Sequence, residues 1–466
     1  VGIKNLAKEL EVISPYEYVL YQSERSRGSS TDSLAFLNNF GFVFDSLSWY
    51  KNTAVVDWQK QVFGNTGFMQ THNLAASGGN KKITYNFGYT YNDDKAVVLN
   101  STFSRHLLNI KTDYKIAKFL KVGITGRYTL QNVYGAGVSD SKGSSYNRLR
   151  NAVKYRPFLS NTQDIDDADP LADPNVGNGL NLYNPIALAN AEFRRKTTQT
   201  INSTAYLQVT IAKNFSFKST FGFNYVTLTD RQYNDSISPY SILQGSRKPV
   251  VGLDTTITRT YTNTNVLQYS LKSSRNIHSL DVIVGEETYD LQTEVHNRLL
   301  RNYPTFTPIN YAFEHQDLAT NFAGYPKFRK LRYTSLSFFG RINYTLLDRY
   351  LFSFNIRQDG ASKFAEKNRW GYFPAGSVAW RVKNEKFLRT SHFVNDLKIR
   401  AGFGNVGNNR IDDYLFLTTY RNDGAYYYGI NGQTVLSYYP SSLVNREDRK
   451  STRLNSSHAN ISYAVF

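Results

Sequence analysis

The feature that most limits how this chain can fold is a two-residue alternation of aromatic and polar side chains, repeated in segment after segment. Phe215, Phe217, Phe221, Phe223 and Tyr225 share one parity, while Ser216, Lys218, Thr220, Gly222 and Asn224 share the other. Ile83, Tyr85, Phe87, Tyr89 and Tyr91 face away from Thr84, Asn86, Gly88 and Thr90, and Leu120, Val122, Ile124, Tyr128 and Leu130 from Lys121, Thr125, Arg127 and Thr129. Leu336, Phe338, Ile342, Tyr344 and Leu346 continue through Leu347-Asp348-Arg349 to Tyr350, Phe352, Phe354 and Ile356, with Arg341, Asn343, Ser353, Asn355 and Arg357 between them. A period of two places each set on one face of a β-strand.

A soluble sandwich also alternates. These runs are longer than the five or six residues usual in globular strands. Their polar face holds Lys, Arg, Asn and Thr, and their apolar face is aromatic at its ends, as in the girdles of a membrane barrel. The composition agrees: 35 Tyr, 30 Phe and 4 Trp among 466 residues, yet only 41% hydrophobic and a mean hydropathy of −0.47. No apolar run reaches the roughly 18 residues of a helical membrane span. The expected fold is therefore all-β, an antiparallel transmembrane β-barrel in the outer membrane.

Strands are expected near 1–13, 68–79, 82–93, 103–116, 119–132, 198–212, 215–229, 258–273, 277–293, 333–347, 350–363, 372–383 and 395–405, with short helices at 15–22 and 146–155. Short turns at Ser77-Gly78-Gly79-Asn80, Ala117-Lys118, Ala212-Lys213-Asn214 and Leu347-Asp348-Arg349 alternate with long connections near 135–197, 229–260 and 300–332. Short turns at one end and long loops at the other, outside the cell, are the outer-membrane arrangement. About thirteen strands do not close a single-chain bacterial barrel, which has an even count and no free edge. The sequence is therefore read as an incomplete barrel, opening at Val1-Gly2-Ile3 inside a mature protein. Residues 1–445 are assigned to the barrel. Residues 446–466 show no hairpin alternation and are read as a non-native tail.

The net charge of +18 raises nucleic acid as a partner. Lys and Arg are spread along the chain rather than gathered in stripes, so nucleic acid is set aside in favour of a hydrated lumen and rim facing lipid headgroups or acidic substrates. With no Cys and seven scattered His, thiol chemistry and His-based metal motifs are absent from the sequence. Gly402-Phe403-Gly404-Asn405-Val406-Gly407 matches a dinucleotide fingerprint but lacks the following amphipathic helix, so strand-end glycines are the better reading. Asp164, Asp166, Asp167, Asp169 and Asp173 share one Asn/Gly/Pro-rich loop; Ca²⁺ is the alternative there to a solvated surface. Tyr426, Tyr427 and Tyr428, with Tyr438 and Tyr439, could stack on sugars or peptide side chains, or serve as girdle or loop packing. Lys218, Arg341 and Arg357 could set lumen selectivity, hydrate the lumen or contact a plug. No catalytic constellation stands out, so no enzyme and no other cofactor is expected.

Several motifs also carry a family likeness. They are Leu10 to Gln22 (LEVISPYEYVLYQ), Asp57-Trp58-Gln59, His72-Asn73-Leu74, Ser77-Gly78-Gly79, Arg369-Trp370-Gly371-Tyr372-Phe373-Pro374, Trp380-Arg381, Glu385-Lys386-Phe387-Leu388, Asp396-Leu397-Lys398-Ile399-Arg400 and Gly404-Asn405-Val406-Gly407-Asn408. In order and spacing across 1–445 they resemble the SusC/RagA family of TonB-linked outer-membrane transporters. The resemblance implies a barrel of about 22 strands with a plugged lumen, TonB-energised import of oligosaccharides or peptides, and a SusD-like surface lipoprotein as partner. The family's N-terminal extension, TonB-contacting segment and plug have no counterpart in this sequence, so transport is expected only of a longer parent. A passive porin or a surface adhesion barrel is the alternative, and a soluble glycan-binding β-protein a weaker one.

Overall fold

The computed structural model describes residues 1–28, 30–40, 44–135, 147–159, 166–168, 181–273, 277–322, 327–390, 392–411, 416–418, 420–431 and 433–440. Its strands, in chain order, are β1 (Gly2–Lys4), β2 (Gly67–Gly79), β3 (Ile83–Lys95), β4 (Thr102–Ala117), β5 (Leu120–Tyr134), β6 (Asp166–Ala168), β7 (Asn181–Tyr183), β8 (Glu192–Ala212), β9 (Phe215–Asn234), β10 (Val250–Lys272), β11 (His278–Arg301), β12 (Asn321–Phe322), β13 (Lys327–Leu346), β14 (Tyr350–Ala361), β15 (Trp370–Arg381), β16 (Lys398–Gly404), β17 (Tyr420–Ile430) and β18 (Gln433–Pro440). One antiparallel sheet runs β1-β2-β3-β4-β5-β8-β9-β10-β11-β13-β14-β15-β16, with β12 attached to β11; β6–β7 and β17–β18 form separate pairs. Consecutive strands pair as hairpins, so the sheet is one continuous meander. The thirteen expected strands are the thirteen on this path.

The register confirms the sidedness. Phe354 sits opposite Ile342 and Gly376, and Phe221 opposite Ala205 and Asn263. Asn355 sits opposite Arg341 and Ala375. The aromatic face lies open: Phe221, Val284, Phe354 and Val378 are each about half exposed. In water such a face is an aggregation hazard; a bilayer covers it. No helix among the described residues is long and apolar enough to cross a membrane.

Two expectations need correction. The strand expected over 1–13 is reduced to Gly2–Lys4, paired to the start of β2. Beyond it the chain is held by a side chain rather than a ladder: Leu10 donates its N–H to Gln59 Oε1 (3.0 Å) and accepts from Gln59 Nε2 (2.7 Å). Ser14 and Glu17 then form a capping box, with Pro15 in the first turn, and start α1 (Pro15–Ser26), which is longer than the helix expected at 15–22. The second correction concerns strand length. β10 and β11 run 23 and 24 residues, shortening the loops expected at 229–260 and 300–332. A tilted strand crosses a bilayer in about 9–11 residues, so these project well beyond it. Past the membrane neither face needs to be apolar, and Asp254, Thr255, Thr256, Thr258, Arg259 and Thr260 carry the ladder with no alternation to read.

The buried clusters lie at the long-loop end. Tyr18, Val19, Phe36, Phe40, Leu47 and Phe158 pack α1 against α2 (Ser30–Phe40) and the 3₁₀ turn Phe44–Asn52. Trp58, Val62 and Phe63 of α3 (Trp58–Phe63) meet Ala152 of α4 (Arg148–Lys154) and Tyr155, with Ile186 of α5 (Pro185–Ala191) and Val98 of the β3–β4 turn around them. Tyr233, Val251, Leu300, Tyr303, Ala312 and Phe313 join three strand ends to α7 (Ile309–Glu314), beyond α6 (Pro239–Gln244).

Candidate functional site

The polar face of β11, β13, β14 and β15 converges near the long-loop end on a cavity of about 460 Å³. Register brings its groups together from separated parts of the chain. Glu287 lies opposite Ser337, Ser337 opposite Asp359, and Arg357 opposite Phe373. Arg357 is the hub. Its Nη2 donates to Glu287 Oε1 at 3.2 Å, its Nε to Asp359 Oδ1 at 2.6 Å, and its guanidinium lies 5.7 Å from the Phe339 ring centre. Tyr289 and Tyr333 form a tilted ring pair at 5.7 Å.

The glycine motif closes this cavity. Gly402 and Gly404 are the last inward positions of β16, and among the described residues no helix follows. Instead the chain folds back over β15, with Asn405 donating to the Pro374 carbonyl at 3.0 Å. A side chain at Gly407 would collide with the Phe373 ring, so only glycine lets the backbone rest on that ring. Asn409 Nδ2 then reaches Tyr333 Oη at 3.0 Å. Lys363 donates to the Ile411 carbonyl at 2.9 Å and lies 5.0 Å from the Tyr333 ring centre. On the rim, Trp370 stacks so closely over Gly360 that a Cβ there would lie 2.8 Å from the indole. The RWGYFP and GNVGN motifs, about thirty residues apart, therefore build one wall.

The result is a cleft with both signs of charge, aromatic faces and carboxamide groups. It is equipped to bind a polar ligand with several functional groups. Two perturbed groups outside the membrane-crossing strands, Tyr303 and Arg148, are structural. Burial, aided by Asp317, pushes the Tyr303 phenol up to about 12, and that hydroxyl donates to the Ala312 carbonyl at 3.1 Å. Burial also pulls Arg148 below the usual guanidinium range, against the opposing charge of Glu192 at 3.6 Å.

The other candidates fall elsewhere. Lys218 belongs to a second inward cluster: its Nζ is 4.7 Å from the Tyr206 ring centre, Tyr206 donates to Asp113, and Lys121 lies 3.7 Å from Asp113. Arg341 is inward opposite Asn355, below the cavity. Tyr426, Tyr427 and Tyr428 lie on β17, Tyr427 opposite Leu436 and Tyr428 opposite Val435; their side chains are outside the described residues. Asp166 and Asp167 lie on β6 opposite Tyr183 and Leu182, while Asp164, Asp169 and Asp173 fall outside the described residues, as does the tail at 446–466. Sequence reading finds Arg357 but misses Glu287, Asp359, Tyr289, Tyr333 and Phe373. They come from four strands, and only the inter-strand register aligns them.

No family model matches the chain. It is 29% identical over 382 residues to TonB-dependent receptor P3 of Formosa agariphila, covering 80% of this chain and 36% of that protein. It is also 29% identical over 414 residues to TonB-dependent receptor SusC of Bacteroides thetaiotaomicron, covering 81% and 37%. The chain thus spans a little over one third of the length of these curated relatives. Among solved structures, the RagAB peptide transporter superposes on 96% of this chain and 50% of its own, with a TM-score of 0.70 at 17% identity.

Proposed function

We propose, starting from the premise that this chain belongs to the SusC/RagA-like TonB-dependent receptors of the outer membrane, that it is wall and mouth of an active importer. Its cargo is an oligosaccharide or peptide, received from a SusD-like surface lipoprotein and drawn inward through TonB. The observation that carries this reading is the Arg357–Glu287–Asp359 cleft on the lumen face. It pairs aromatic rings with hydrogen-bonding groups at the long-loop end, where cargo enters. The relatives' names favour the same direction: two are TonB-dependent receptors, and the RagAB protein is named a peptide transporter. The curated relatives are named receptors, and we read this protein as non-enzymatic. Tyr426, Tyr427 and Tyr428 are assigned to the same mouth as stacking residues, and the loop of Asp164, Asp166, Asp167 and Asp169 as a solvated surface or Ca²⁺ loop.

The test is uptake by the full-length receptor in cells supplied with oligosaccharide or peptide pools. Uptake should require TonB and fall about tenfold in Arg357→Ala, as expected when a charged hydrogen-bonding partner is removed from a binding site. Uptake that survives loss of TonB, with Arg357→Ala indistinguishable from wild type, would favour a passive pore instead.

A further inference from the structure

The turns at the short-connection end carry a charge pattern that neither the cleft nor the transport reading uses. Lys81 and Lys82 form the β2–β3 turn, Lys118 the β4–β5 turn and Lys213 the β8–β9 turn, with no acidic residue in any of the three. All four side chains are exposed, and none forms an ion pair among the described residues. Where acids do occur on this rim, most are neutralised locally. Asp348 pairs with Arg381. Glu385 accepts from Arg349 (3.0 Å), the Tyr350 hydroxyl (2.8 Å) and Trp380 Nε1 (3.0 Å). That clamp fixes the segment after β15 and leaves Lys386 and Arg389 exposed, with Asp396 and Asp281, the latter held by Gln268 and Ser270, the acids there without an ion pair among the described residues.

Apolar side chains accompany these charges. Phe119, beside Lys118, is 58% exposed, and Phe387, beside Lys386, is 70% exposed. Ile83, Tyr85, Ile116, Leu271 and Trp380 continue the outward apolar face right up to the turns. The cations therefore sit at the edge of the lipid-facing band, where long Lys and Arg stems lie along acyl chains and place their heads at headgroup depth. At the opposite end the two signs are mixed: residues 5–66 hold seven acidic and five basic residues, 302–326 hold Glu314 and Asp317 with no Lys or Arg, and 327–332 hold four basic residues of which Lys330 and Arg332 are paired with Glu294 and Asp290.

We infer that the short-turn rim is a docking surface for anionic phospholipid headgroups of the inward-facing leaflet, with Phe119 and Phe387 as acyl-chain wedges. Charge complementarity and continuity with the lipid-facing band specify the occupant. The inference rests on the outer-membrane barrel reading, and it adds a lipid preference and a sidedness that reading does not contain.

The experiment uses the full-length receptor in vesicles of equal phosphatidylglycerol and phosphatidylethanolamine, extracted gently and analysed for retained lipid by native mass spectrometry. Wild type should retain the anionic lipid about fivefold or more over the zwitterionic one, from several basic groups held near the surface. The preference should vanish in K82E/K118E/K213E/K386E and persist in K51E/K60E, which alters the long-loop end. Phe387→Ser should weaken total retention without changing the preference. If the reversal variant does not fold, wild type in high salt replaces it, and the preference should collapse as the charges are screened. Three results would overturn the inference: no preference in wild type, a preference unchanged by reversal or by salt, or cross-linking of this rim to an acidic periplasmic protein in place of lipid. A receptor lacking heat-modifiable migration would overturn the barrel reading itself, which separates the two failures.

Discussion

At one end of the sheet β4 passes into β5 through Lys118 and Phe119 alone; at the other, β5 reaches β8 only after residues 135–191. The difference extends to what stabilises each end. The long-loop end has the buried clusters of a water-soluble domain, with Val19 and Val62 fully enclosed and Trp58 donating to the Arg156 carbonyl at 2.7 Å. The wall between the ends has almost no such interior; its large apolar side chains point outward and stay half exposed. One chain therefore uses two solvents. Around α3 and α4 water drives burial, whereas along β9 and β14 the bilayer covers the apolar face and the ladder alone satisfies the backbone.

Substitutions can break that comparison. The largest effect is expected for Trp58→Ala, at about 3–5 kcal/mol for a large aromatic lost from a packed cluster. It should appear as faster hydrogen exchange and proteolysis in residues 1–66 and 147–159 of the full-length receptor, with the heat-modifiable barrel intact; collapse of the barrel would mean the two regions are one cooperative unit. Next come Phe354→Arg and Phe221→Arg, each about 2–4 kcal/mol in a folding titration, against less than about 1 kcal/mol for Thr255→Arg, which shares the outward face but lies toward the long-loop end. Equal costs would remove the two-solvent distinction. Ser14→Ala should cost about 1 kcal/mol by uncapping α1, read as local exchange in that helix.

The smallest effect at neutral pH concerns Glu385. Hydrogen bonds from Trp380 and Tyr350, with Arg349 adding its charge, hold its carboxyl below the usual carboxylate range. A depressed native value means the clamp's contribution is full above the unfolded-state carboxylate range and is lost as pH falls through the lowered native value. Acid titration should therefore release the segment after β15, seen by exchange, in wild type and not in Glu385→Gln, where it is loosened at every pH.

How much could be read from sequence follows the same division. Alternation in 215–225 and 336–356 locates wall strands and their lipid side because a bilayer demands it there. It ends where the bilayer ends, so residues 250–257 of β10 and 294–301 of β11, the upper third of each, go unread although their pairing continues. The first strand is overextended because Leu10 is held by Gln59, a contact across 49 residues that no local pattern encodes. Ser14-Pro15-Tyr16-Glu17 is a legible helix start. In the cleft, Arg357 is legible as an inward cation, but its partners Glu287 and Tyr333 depend on register between distant strands. Gly407 looks like a strand-end glycine; its actual role, lying against Phe373, needs the fold.

The central claim is a two-faced wall with adjacent residues in different solvents, and single cysteines test it most directly. This chain contains no Cys, so Phe354→Cys and Asn355→Cys can be placed one at a time in a cysteine-free full-length receptor in vesicles. A fluorophore on the thiol introduced by Phe354→Cys should be quenched by brominated acyl chains and ignore aqueous iodide. One on the thiol introduced by Asn355→Cys should respond to iodide and ignore the bromolipid. The same response from both positions, or the reverse assignment, would contradict the account.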